Sequence, residues 1–91
     1  MDEGYLAQII LFAGNFAPKG WTFCAGQLLQ IQQNTPLFAL IGTTYGGDGQ
    51  HTFALPDMRE KDEQGTPRIG YELGKPSYII CTQGMFPIRE Y

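Results

Sequence analysis

The chain has 91 residues and a net charge of −3, with 6 Lys and Arg against 9 Asp and Glu, 2 cysteines and 1 histidine. That is one domain, which alone buries only about 60–65% of its unfolded surface, and so few cysteines and histidines offer little disulfide or metal support, so oligomerisation is the resource left. Scattered cations cannot neutralise a phosphate track, which excludes nucleic acid, and the apolar run Ile9 to Ala13 is too short to span a bilayer.

Met1, Asp2 and Glu3 have the wrong sign for a secretory leader, so synthesis in the cytoplasm without a signal peptide is expected. Gln8 to Gly14 (QIILFAG) is a short apolar run and predicts a buried strand. In the next segment Pro18 presets a turn and Gly20 suits its last position, which predicts a type I turn over Ala17 to Gly20. Trp21 to Cys24 and Leu28 to Ile31 then read as two strands joined in a short hairpin, with Gly26 supplying a positive φ. "NTPLFALIG" carries helix punctuation: Asn34 or Thr35 as N-cap, Pro36 as the first helical residue, and Gly42 as the left-handed terminator. About one and a half to two turns fit between them. Leu37, Leu40 and Ile41 share one face, and Phe38 extends it.

Thr43 to Asp57 (TTYGGDGQHTFALPD) gathers three glycines, an aspartate and the histidine. A phosphate cradle requires a lysine and a hydroxyl opening a helix after the glycines, whereas Gly49 is followed by Gln50 and His51. A calcium loop requires several oxygen ligands, and Asp48 stands alone. Gly46, Gly47 and Gly49 therefore predict a tight or bulged connection with Asp48 bonding local amides. Met58 to Lys75 is charged and broken by glycines, which predicts a loop, or a loop with a brief strand at Arg68 to Tyr71. Tyr78 to Thr82 is apolar and β-branched and predicts a closing strand, with Ile79 to Thr82 paired to Ile9 to Phe12 at the edge of a small sheet, within one subunit or across an oligomer. The fold class expected is mainly β with one short helix, a small α+β domain.

No catalytic constellation is legible, since Ser77 is the only serine and a Cys–His dyad would lack an orienting residue and an oxyanion hole. The chain is read as a non-enzyme without cofactor or metal. His51 fits either a metal at a three-fold axis or, far more commonly, an ordinary surface or interface residue. Cys24 and Cys81 fit a disulfide or two buried thiols. Asp57 and Arg59 fit a binding fork or, more often, a solvated mixed-charge face. Among the aromatics most belong to a core, and Phe16 and Trp21, which flank a turn, are the exceptions expected at a binding surface together with His51.

From Gly4 to Pro56 the only ionised residues are Lys19 and Asp48. A small domain cannot hide so long a stretch in its own core, so part of this half is expected under a partner.

"GNFAPKGWTFCAGQLL" and "NTPLFALIGTTYGGDGQHTFALPDMR", with their spacing, resemble the phage tail collar domain of short tail fibres and of bacterial proteins named microcystin-dependent. The matching residues include Pro18, Gly20, Trp21, Cys24, Gly26 and Gln27, the helix ending at Gly42, Tyr45 to Gly49, Phe53, Leu55 to Asp57, and Arg59. The resemblance implies a homotrimeric fibre or adhesin part, a virion location, a structural glycine connection, and other tail or fibre proteins or a cell-surface glycan as partners. Ala25 stands where the family often has Asp or Asn, and Glu60 where it has a glycine followed by many tens of residues. The chain is accordingly read as a collar-like core over 8–59, a shortened variable loop over 60–77, and a closing strand and tail over 78–91: a small cap, tip or adaptor. The alternative is a stand-alone carbohydrate- or ligand-binding module using Trp21 and neighbouring loop residues.

Overall fold

The structure, a computed structural model, describes residues 4–88. Seven short strands and one α-helix follow in the order β1 (Ile9–Phe12), β2 (Trp21–Phe23), β3 (Leu28–Gln30), α1 (Thr35–Ile41), β4 (Thr52–Ala54), β5 (Glu60–Lys61), β6 (Pro67–Arg68) and β7 (Ser77–Cys81), with single 3-10 turns at Ile31–Gln33 and Gly70–Leu73. The fold class is the expected one, mainly β with one helix.

The late strand β7 is the middle of a three-stranded antiparallel sheet, ordered β1-β7-β2. Its register sets Ile9 against Ile80, Ile10 against Ile79, Leu11 against Tyr78 and Phe12 against Ser77, while Trp21 faces Cys81 and Phe23 faces Ile79. Strand alternation sends neighbouring residues to opposite faces. Ile80, Ile9 and Cys24 therefore join one cluster with Leu6, Leu37, Phe53 and Leu55 beneath α1, and Ile79 and Cys81 join Trp21, Ile10 and Phe12 in a second on the other face. Apart from Tyr78, β7 is buried on both sides, with Ile79 and Cys81 wholly inaccessible, which accounts for so apolar a segment.

The predicted pairing of this segment with β1 is present within one subunit, with two differences. Cys81 is met by the Ala7–Gln8 bulge, so the ladder is offset from the expected register. Gln8 N–H donates to Tyr5 O, Ala7 N–H donates to Cys81 O and Cys81 N–H donates to Gln8 O, with Ala7 at φ +69. This is a turn feeding a bulge that bends the strand. The segment also lies in the centre of the sheet. The edge positions belong to β1, which is half-buried and not the fully buried strand expected, and to β2.

β2 and β3 do not form the predicted hairpin: β2 pairs with β7, and β3 pairs with β4 through Leu28–Ala54, Leu29–Phe53 and Gln30–Thr52. Between them the Gln27 side chain accepts from Ala25 N–H at 3.1 Å and donates to Phe23 O at 2.9 Å and Thr22 Oγ1 at 3.5 Å. The bond to Phe23 O satisfies a backbone group of β2, and the chain then steps into a second sheet. The turn before β2 lies one residue later than expected. Trp21 N–H bonds Pro18 O at 3.0 Å, and Gly20 holds φ +84 at the third position, the geometry of a type II turn.

Helix α1 begins at Thr35, one residue before the predicted Pro36, and is closed by Gly42, whose N–H bonds Phe38 O. Gly42 has the expected positive φ, +55, but its ψ of −143 leads the chain away extended instead of completing a left-handed turn. Asn34 precedes the helix, but its side chain donates back to Gln30 O instead of capping. Leu37 is buried, and Phe38, Leu40 and Ile41 pack on the same cluster, Phe38 tilted against Phe53 at 5.3 Å. The charged segment is more ordered than a loop. Asp62 Oδ1 accepts from Gln64 and Thr66 N–H and closes a hairpin between β5 and β6, and the brief strand stops at Arg68 because Gly70–Leu73 turns.

Candidate functional site

The glycine loop finishes a sheet. β4 pairs with β3 on one side only. On its other side Ala54 N–H donates to Gly46 O and Gly49 N–H donates to Thr52 O, both at 3.0 Å, so the loop 46–49 lies along the edge that would otherwise be open. Asp48 Oδ1 accepts from Gln50, His51 and Thr52 N–H at 2.9, 2.8 and 2.9 Å. These three amide bonds, His51 first, hold its carboxyl far below the usual carboxylate range. Gly47 has φ +97, and a side chain there would run into the backbone of Thr52 and Phe53. The absence of a Cβ is what allows one backbone to lie on another. A Cβ added at Gly26, at φ +73, would meet only the Asp57 side chain, at 3.2 Å or more, a looser approach.

Of the three residues expected at a binding surface, two are exposed and one is not. Phe16 is 67% exposed and the His51 side chain 84%. Trp21 is 8% exposed, a correction to its expected place at a binding surface. Its indole lies on the backbone of Gly4, where an added Cβ would meet Cζ2 at 2.5 Å, and it fills the second core cluster with Ile79 and Cys81. Flanking a turn is thus no sign of exposure here, because β2 borders the buried centre of the sheet.

Cys24 and Cys81 are both free and buried. Burial pushes the Cys24 thiol up to about 11 and raises Cys81 as well, which keeps both protonated at neutral pH and poor as nucleophiles. Asp57 and Arg59 close on each other in a two-bond fork, Nε to Oδ1 at 2.9 Å and Nη2 to Oδ2 at 2.8 Å. The guanidinium beside it holds the Asp57 carboxyl down at about 2. Among the described residues no three His, Cys, Asp or Glu side chains are grouped to hold a metal, and no helix is long and apolar enough to cross a membrane.

The residues that follow the glycine loop form one wall of an open cleft of about 450 Å³, lined by Gln30, Ile31, Gln32, Gln50, His51 and Thr52. Its geometry is fixed from both sides. Gln30 and Thr52 are register partners, Ile31 N–H bonds His51 O at 2.9 Å, and Asp48 ties down the amides of Gln50, His51 and Thr52. Sequence reading singled out His51 but not the glutamines, which carry no motif and gain meaning only when β3 and β4 pair. Gln27 was visible as part of a family pattern, while its bonding role was not.

The fold is a small, mainly β domain whose shaped loop seals a sheet edge and whose two thiols are buried. A family model described as the phage tail collar domain matches residues 7–62, more than half of the chain, and the chain belongs to that family, a structural family of phage tail fibres. No curated protein matches the chain.

Proposed function

We propose that the chain is a structural and adhesive subunit of a phage tail fibre, a non-enzymatic collar, tip or adaptor that works in the virion as a homotrimer joined through its low-charge half to copies of itself and to other tail proteins. The observation that carries the reading is the state of β1. Leu11 and Tyr78 are register partners, and both are exposed, at 56% and 41%. β1 stands at the edge of its sheet, without proline or charge to guard it. Natural edges of this kind are normally blunted or covered, because unpaired strand groups and apolar side chains attract another chain. A second copy supplies that cover, and the charged hairpin β5–β6 stays in solvent.

Light scattering on a size-exclusion column tests this. Three times the chain mass at micromolar concentration is expected, with dissociation in Leu11→Lys. A stable monomer of the unmodified chain removes the trimer from the reading.

A further inference from the structure

We propose that the cleft between residues 30–32 and residues 50–52 binds one neutral sugar ring. The inference deepens the adhesive part of the function proposed above and rests on it.

The lining favours this ligand over others. Gln30, Gln32 and Gln50 are exposed, and Gln30 and Gln50 enter hydrogen bonds among the described residues only through their backbone, Gln30 O accepting from Asn34 and Gln50 N–H donating to Asp48. Each free carboxamide offers donors and an acceptor side by side. A sugar hydroxyl is also donor and acceptor at once, so adjacent hydroxyls of a pyranose match a row of carboxamides. Half-buried Ile31 lies among them and presents an apolar surface to the C–H face of such a ring. No lysine or arginine lines the cleft, and the Asp48 carboxylate lies 3.8 Å from Nδ1 of His51, a lining residue. That charge disfavours acidic sugars and phosphate. The backbone of both walls is held by strand pairing and by Asp48, so the ordering that binding requires is confined to the glutamine side chains.

The test uses the full chain, with amide NMR titrations of the methyl glycosides of glucose, galactose and mannose, and N-acetylneuraminic acid as the acidic control. Saturable shifts at Ile31, Gln32, Gln50, His51 and Thr52 with at least one neutral glycoside are expected, at a Kd on the order of 1 mM. Gln32→Ala and Gln50→Ala, both at exposed positions, should each weaken binding about tenfold or more with the remaining spectrum unchanged. No saturable shift with any neutral glycoside overturns the proposal, as does an equal response to the acidic sugar or full binding in both variants. Mass measured on the same samples separates the two readings: a trimer that binds no sugar removes the cleft, and a monomer that binds sugar removes the trimer.

Discussion

Asp48 and Thr52 bond each other in both directions: Asp48 Oδ1 accepts from Thr52 N–H at 2.9 Å, and Asp48 N–H donates to Thr52 Oγ1 at 3.2 Å. The exchange pins the glycine loop to the outer side of β4, directly over Phe53, which is wholly buried under α1. A conspicuous surface loop is in this way tied to the centre of the core.

Gly47→Val should therefore destabilise the protein far more than Asp48→Ala. A branched side chain at φ +97 costs more than the roughly 1–2 kcal/mol of ordinary left-handed strain, because it must also displace the backbone of Thr52 and Phe53. Asp48→Ala removes bonds from an exposed carboxylate whose partners regain water, and Asp48→Asn retains an accepting oxygen. Thermal melts should rank the unmodified chain first, then Asp48→Asn, Asp48→Ala and Gly47→Val. Equal melting temperatures for Gly47→Val and Asp48→Ala would contradict the edge-sealing role of the loop.

Trp21→Ala is expected to act on stability. Emptying the space of a buried tryptophan between Gly4, Ile79 and Cys81 should cost about 3–5 kcal/mol, a large part of the roughly 5–15 kcal/mol that holds a domain. Urea denaturation measures it. A variant as stable as the parent would show that the indole is not part of the core.

Deleting residues 78–91 removes most of the central strand and leaves β1 and β2 without the partner that joins them. Ile79, Ile80 and Cys81 vanish from two clusters at once, at roughly 1.5–3 kcal/mol for each large side chain. The truncated chain should be insoluble on expression. A soluble truncation with a normal melt would overturn the topology.

Acid should weaken the protein through three aspartates. Asp48 is lowered first by the His51 amide, Asp57 to about 2 first by the Arg59 side chain, and Asp62 first by the Thr66 amide. A carboxyl whose folded value lies below its unfolded one stabilises fully above the unfolded value, here 3.8, and loses that contribution as pH falls through the folded value. The melting temperature should be flat above about pH 5 and fall between about pH 4 and pH 2. In Asp57→Asn the fall should be shallower. A melting temperature that rises on acidification contradicts the assignment.

Local structure was readable from residue types alone. Pro36 and Gly42 bracket the helix because proline lacks only an N–H the first turn does not use and glycine accepts the positive φ that ends it. The family pattern, the glycine loop and the pairing of the closing strand with β1 were legible for a similar reason: each depends on residue types at short spacings or on one strongly apolar run. Which strands meet across long stretches of chain was settled by packing in three dimensions. β2 meets β7 and not β3, its neighbour in sequence, and whether Trp21 faces solvent or core turns on which strand lies beside it. The cleft was illegible for the same reason, since Gln30–Gln32 and Gln50–Thr52 become neighbours only when β3 and β4, separated in sequence by the whole of α1 and the glycine loop, hydrogen-bond in one register.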